Sequence, residues 1–431
     1  MPNEKKDLSD QRPYKKGTHL IHGKFRSKKW DYSHHVIPPL TASTAFRLDT
    51  SQRGAKGFFE FACDQVQHKR KVPIYIYDRL DEPTRGMLEE NLAYAEGGKV
   101  CVTFASGMAA VSAACLVSLR TGDEILANDI LYGCTYSFFT NWLPRLGIKV
   151  RFVDLTRDGY EKQVTAKTRM IYFESPINPN LRLVDIRGLV KKIAKLNSGR
   201  RSDFRMVTVI DNTFATPFCQ RPLELGVDIV LHSLTKDIGG FGTDMGGAVM
   251  TRDTKYESPL LLVRKDFGGV LSPKSAWPIL VYGLPTLETR MQRQQETALK
   301  VAKFLERHPR IEKTFYPGLR SYPQRELAKK QMRDFDGKFA PGSMIYFILK
   351  CGDGHAAERF IDRIAKEAYT VTLAVSLGQI RTLVENPFSM THSSLPPAEK
   401  EKEGINLHGI RLSIGLEHPD DIIADLKRAL G

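Results

Sequence analysis

The chain reads as an α/β protein with a mostly parallel central sheet, an extended N-terminal arm before it and a smaller α+β domain after it. Three observations carry this reading. Short apolar runs of strand length alternate with helical stretches between residues 100 and 233. Several of those runs close on a charged residue, as in "VTVIDNT" and "VLHSLTK". Beyond residue 309 the strand-like runs become fewer and more widely separated.

Taken in chain order, a polar segment to about residue 80 forms the arm. "VCVTFA" (Val100 to Ala105) is the first strand and runs into "SGMAAVSAACLVSLRTGDE", a small-residue helix closed by Gly122. The strands "IKVRFVDL" (Ile148 to Leu155), "RMIYFES" (Arg169 to Ser175), "RMVTVID" (Arg205 to Asp211) and "VDIVLHS" (Val227 to Ser233) follow. Short apolar strands separated by helices imply parallel pairing with both sheet faces covered. "VYGLPTLETRMQRQQETALKVAKFLERHP" (Val281 to Pro309) repeats its apolar positions at helical spacing and bridges into the second domain, where "SMIYFILK" is a strand. The expected divisions are an arm over 1–80, a main domain over 81–285 and a C-terminal domain over 286–431.

With 431 residues and 42% hydrophobic content, the chain can bury a large core. Its charged start lacks an apolar leader and no run is long enough to span a bilayer, so a cytoplasmic protein without a membrane partner is expected. Six scattered cysteines form no C-x-x-C pair, and "SHH" at 33–35 has no companion motif, so no disulfide framework and no metal are expected. The net charge of +15 gathers in Lys15 to Trp30 and in "HKRK" (His68 to Lys71). No nucleic-acid-binding motif accompanies it, so it is read as a solvated arm and a favourable field for anionic small molecules.

The chemistry gathers at strand ends, because parallel strands deliver the residues that close them to one crevice. Asp211 closes one apolar run, and Lys236 follows 25 residues later, after the next strand. A carboxylate and an amine so placed suit pyridoxal phosphate: the lysine bonds the aldehyde and the acid keeps the pyridine nitrogen protonated. Ser106, Gly107 and Met108 open a helix whose first N–H groups can cup a phosphate. The hydroxyls of Ser233 and Thr235 can add to that cup. Gly239, Gly240 and Gly242 are read as leaving room for Lys236 to move. Taken singly, an acid at a strand end is more often a helix cap or turn residue. "GGFGTDMGG" matches neither nucleotide-binding glycine motif.

The series "YIYDR", "SGMAA", "LYGCT", "YFESPINPN", "VIDNTFATP", "HSLTK" and "RLSIGLE" resembles the transsulfuration, or Cys/Met metabolism, family of pyridoxal-phosphate enzymes over nearly the whole chain. The resemblance implies the aspartate aminotransferase-like fold, fold type I of these enzymes. It makes Lys236 the attachment lysine, Asp211 the pyridinium partner and Tyr132 the residue stacked on the ring and placed to protonate a departing γ-substituent. Ser106, Gly107, Met108, Ser233 and Thr235 would hold the phosphate. Tyr77 and Arg79 would reach the phosphate of a neighbouring subunit, so the arm would contact that subunit in a homodimer, with a tetramer built of two dimers. Arg411 would bind the carboxylate of an amino-acid substrate, helped by Asn178 and Ser376.

Within the family, Cys134, Lys265 and Asp266 match residues of the methionine-cleaving members, and Val375 stands where cystathionine-processing members typically carry glutamate. An apolar residue there suits a thioether methyl. γ-Elimination on methionine is therefore expected. A cystathionine γ-synthase or γ-lyase, an O-acylhomoserine sulfhydrylase and, remotely, a non-catalytic binding protein are the alternatives. Three departures bear on the site entrance: Glu82 in place of the usual asparagine before Pro83-Thr84, a long stretch between Phe46 and Tyr75, and "GGFGTDMGG" after the lysine.

Overall fold

A computed structural model describes residues 14–24, 30, 32, 34–62, 74–350, 354–390, 400 and 405–431. The "HKRK" run, residues 25–29 of the basic arm and Ser33 of "SHH" lie outside the described residues.

Seven strands form the central sheet: β1 (Val100–Phe104), β2 (Glu124–Asn128), β3 (Lys149–Val153), β4 (Thr168–Glu174), β5 (Val207–Asp211), β6 (Ile229–Ser233) and β7 (Gly247–Thr251). Their order is β1-β7-β6-β5-β4-β2-β3, and only β7 runs antiparallel to its neighbours. Alternate side chains feed two cores. Ile171, Phe173, Ile210 and Val230 pack on one face, and Met170, Tyr172, Val209 and Leu231 on the other. Such two-sided burial is what near-continuous apolar strands imply. The strands β2 ("EILAN") and β7 ("GAVMT") were not among the runs read from the sequence; one is bracketed by polar residues and the other follows glycines.

The second sheet comprises β8 (Ile311–Phe315), β9 (Met344–Leu349), β10 (Val371–Leu373), β11 (Thr382–Glu385) and β12 (Gly409–Ser413), in the order β10-β11-β12-β9-β8. All its pairs are antiparallel except β10 with β11. Between the sheets in sequence runs the helix Leu284–Arg307, entered through a π-helical turn at Ile279–Gly283. It buries Leu284, Leu287, Met291, Ala298, Val301 and Leu305, one stripe at helical spacing, in a core it shares with Ile345, Phe347 and Ile410 of the second sheet.

The arm is not extended throughout. Its described part contains helices at Lys16–His22 and Ser51–Ala62. The first rests on its own chain: Leu20 is buried, His19 stacks on Tyr94 at 3.6 Å, and Lys15 and Lys16 pair with Asp336 (3.0 Å) and Glu224 (3.1 Å). These lysines meet acids of the same chain. No helix among the described residues is long and apolar enough to cross a membrane.

Candidate active site

The ends of β4, β5 and β6 and the start of the helix Gly107–Ser118 open into one cavity of about 290 Å³. Ser106 caps that helix by accepting the Ala109 N–H at 3.1 Å. A Cβ on Gly107 would stand 3.0 Å from Ser233 Cβ, and one on Gly247 only 2.1 Å from the Ser106 carbonyl oxygen. The helix start therefore meets β7 backbone to backbone and β6 through the Ser233 side chain. Ser106, Gly107, Met108, Ser233 and Thr235 all line the cavity. The Ser233 N–H donates to Thr213 Oγ1 at 2.8 Å, and Thr235 Oγ1 accepts the Gly246 N–H at 3.1 Å.

Lys236 lies in the cavity with its Nζ donating to Ser376 Oγ at 2.7 Å. Burial and the Arg411 guanidinium hold this amine below the ordinary lysine value, against the pull of Glu385, Asp237 and Asp211. The glycines after it stand at close contacts. A Cβ on Gly239 would meet the Leu234 carbonyl at 2.6 Å, and one on Gly240 would meet Arg290 Nη1 at 2.2 Å. Arg290 donates to the carbonyls of Asp237 (2.7 Å) and Gly283 (2.7 Å), so Gly240 admits a buried arginine that ties the lysine's loop to the long helix.

Asp211 closes β5 and accepts the Thr213 N–H at 2.9 Å. Burial pushes its carboxyl up despite that hydrogen bond. In register beside it on β4 stands Glu174, whose Oε1 accepts the Tyr132 N–H at 2.6 Å. Burial, then the nearby Asp211, push Glu174 up to about 8. Tyr132 stands at the N-terminus of the helix Gly133–Asn141 and is 38% exposed. Burial and its contact with Cys134 raise the phenol further, which leaves it a proton donor near neutrality.

Arg411 comes from β12 and is nearly fully buried. Its guanidinium donates to Asn178 Oδ1 (2.9 Å) and the Ser376 carbonyl (2.9 Å), and pairs with Glu385 on β11 at 3.0 Å. Three partners fix its plane, the geometry needed for two-point capture of a carboxylate. Val375, 59% exposed, lines the same cavity beside Ser376 and is not a core contact.

Five other residues singled out in the sequence do not line this cavity. Cys134 is an exposed free thiol against Tyr132. Tyr77, Arg79, Lys265 and Asp266 form a separate group: the Arg79 guanidinium lies over the Tyr77 ring at 5.7 Å and donates to the Lys265 carbonyl at 2.8 Å, and Lys265 pairs with Asp266 at 2.8 Å. Glu174, Thr213, Phe214 and Glu385 belong to the site and were not read from the sequence. For Glu174 the signal was present, since it closes an apolar strand as Asp211 does. Among the described residues no cluster of His, Cys, Asp or Glu could hold a metal ion.

An amine of lowered basicity, an acid at the end of β5 whose carboxyl is pushed up and a glycine-opened helix start suit the aldehyde, ring nitrogen and phosphate of pyridoxal phosphate. Fold and site together define a fold type I pyridoxal-phosphate enzyme. The chain belongs to the Cys/Met metabolism PLP-dependent enzyme family, whose model matches residues 17–431. It is 40% identical to the L-methionine gamma-lyase of Fusobacterium nucleatum subsp. polymorphum over 91% of this chain and 92% of that protein. Against the cystathionine beta-lyase of Coxiella burnetii it is 41% identical over 83% and 87%. The solved cystathionine gamma synthase of Xanthomonas oryzae pv. oryzae, in complex with aminoacrylate and cysteine, superposes with a TM-score of 0.83 at 31% identity, covering 97% and 98%. The protein is thus a pyridoxal-phosphate lyase of sulfur amino-acid metabolism.

Proposed function

We propose that the chain cleaves methionine by γ-elimination, giving 2-oxobutanoate, methanethiol and ammonia with uptake of water. The observation that carries this reading is Val375, an exposed apolar side chain in the cavity that holds Lys236 and Arg411. A thioether methyl loses nothing against it, whereas a second ammonium and carboxylate would need polar partners there. The relatives named methionine gamma-lyase support the same choice.

Pyridoxal phosphate, when bound, supplies the electron sink that acidifies the substrate's Cα–H and Cβ–H bonds. Ser106, Gly107, Met108, Ser233 and Thr235 hold its phosphate, and Asp211 holds its ring nitrogen. Arg411, held in orientation by Asn178, Ser376 and Glu385, takes the substrate carboxylate. Lys236 removes the Cα proton and then a Cβ proton, and its hydrogen bond to Ser376 supports the amine beside the residue that also binds Arg411. The Tyr132 phenol delivers a proton to the departing sulfur, and the adjacent Cys134 orients it. Tyr77, Arg79, Lys265 and Asp266 complete the site of a neighbouring subunit, in a homodimer that pairs again into a tetramer. The setting is the cytoplasm.

Products assayed from methionine, from cystathionine, and from an O-acylhomoserine with cysteine test this. Methionine should give the highest kcat/KM, and Val375→Glu should shift preference toward cystathionine. Inactivity on methionine with cystathionine formed from the acylated homoserine would overturn it. That second reading, γ-replacement, draws support from the likeness to a cystathionine γ-synthase.

A further inference from the structure

Glu82 caps the helix Pro83–Glu96 from a fully buried position. Its Oε2 accepts the Thr84 N–H at 2.8 Å, and its Oε1 accepts the Arg85 N–H. Arg85, also fully buried, folds back over the preceding turn: Nη1 donates to Asp78 Oδ1 and to the Leu271 carbonyl, both at 2.9 Å, and Nη2 to the Asp78 carbonyl. That turn, Tyr77 to Asp81, is closed by the Leu80 N–H on the Tyr77 carbonyl at 2.9 Å. Arg264, from the helix Glu257–Phe267, clamps its other side through the Leu80 carbonyl (3.0 Å) and Glu89 (2.5 Å), 3.9 Å from Asp81. The next residue on the same helix, Lys265, holds Arg79 by its carbonyl.

The charged and titratable groups around Glu82 are Asp78 and Asp81 of the turn, Arg85 and Glu89 of its own helix, Arg264 of the opposing helix and the Tyr75 phenol. Carboxylates outnumber guanidinium groups here. An asparagine cap would accept from this helix start through its single amide oxygen, without adding a charge.

We propose that Glu82 is a positioning residue whose carboxyl sets how firmly the Tyr77–Asp81 turn presents Tyr77 and Arg79 to the cofactor phosphate of a neighbouring subunit. This rests on the reading that Arg79 acts across the interface. Burial pushes the Glu82 carboxyl up to about 7, against Arg85 and the two backbone N–H groups. The closed turn therefore binds a proton more tightly than a loosened one, in which a solvated glutamate titrates near ~4.3. Protonation favours the closed turn, and rising pH loosens it.

The test follows release of cofactor from holoenzyme diluted into a phosphatase that destroys free cofactor, by the visible absorbance of the bound form, between pH 6 and pH 8. The release rate of the wild type should rise roughly tenfold more over that range than those of Glu82→Gln and Glu82→Asn, because only the wild type ionises at this position. Two variants guard against one failing to fold. Parallel pH profiles for all three, with Arg79→Ala releasing cofactor faster than wild type at every pH, would overturn the role of Glu82. An Arg79→Ala enzyme that keeps its cofactor as well as wild type would instead overturn the interface reading, and the proposal with it.

Discussion

Lys236 Nζ and Ser376 Oγ lie 2.7 Å apart, and the carbonyl of the same serine accepts from Arg411 at 2.9 Å. One residue thus registers the proton-moving amine against the guanidinium that takes the substrate carboxylate. Ser376 does so at φ +100, a backbone conformation that side chains other than glycine rarely adopt.

Ser376→Ala removes the hydroxyl and leaves the carbonyl to Arg411. A hydrogen bond to a charged group contributes about 1.5–3 kcal/mol, so kcat should fall roughly ten- to a hundredfold with KM little changed. Steady-state kinetics with methionine checks the split, and a rise in KM alone would contradict it.

Borohydride reduction of the yellow holoenzyme, followed by peptide mapping, should place the pyridoxyl group on Lys236. Lys236→Ala should still bind cofactor noncovalently and show no turnover. Label on another lysine would refute the assignment.

Glu174 has a folded-state value of about 8, well above the ~4.3 of an unfolded glutamate. Its contribution to stability is complete below the unfolded value and is lost as pH rises through about 8. Between pH 6 and pH 9, Tm of the cofactor-stripped protein should therefore fall further for wild type than for Glu174→Gln. Identical slopes by calorimetry would mean that another group governs the change.

Arg79→Ala and Lys236→Ala chains, each nearly inactive, should regain part of their activity when unfolded and refolded together. If Arg79 serves a neighbour's site, a mixed dimer contains one site with both residues intact. Proven mixed dimers without activity would show that Arg79 acts within its own chain.

Strand ends made part of the site legible. Asp211, Lys236 and Ser106 close or follow apolar runs, and parallel pairing must bring such positions together. The same logic covers Glu174, which the sequence reading passed over. Arg411, Ser376 and Asn178 could be placed only by family resemblance, since their meeting depends on antiparallel pairing in the second sheet and on contacts across 233 residues of chain. The close neighbour of Gly240, Arg290, was equally out of reach of the sequence, because it is a helix residue 53 positions beyond Asp237 and no local pattern announces it.

The backbone contact between Gly247 and Ser106, with no space for even a methyl group, divides the site by its capacity to change. Where main chain rests on main chain, any side chain at Gly247 must push the helix start away. Val375 and Cys134 touch solvent and carry no such obligation. New substrate tastes should arise there, and a laboratory library aimed at the rim rather than the cradle would sample the same freedom.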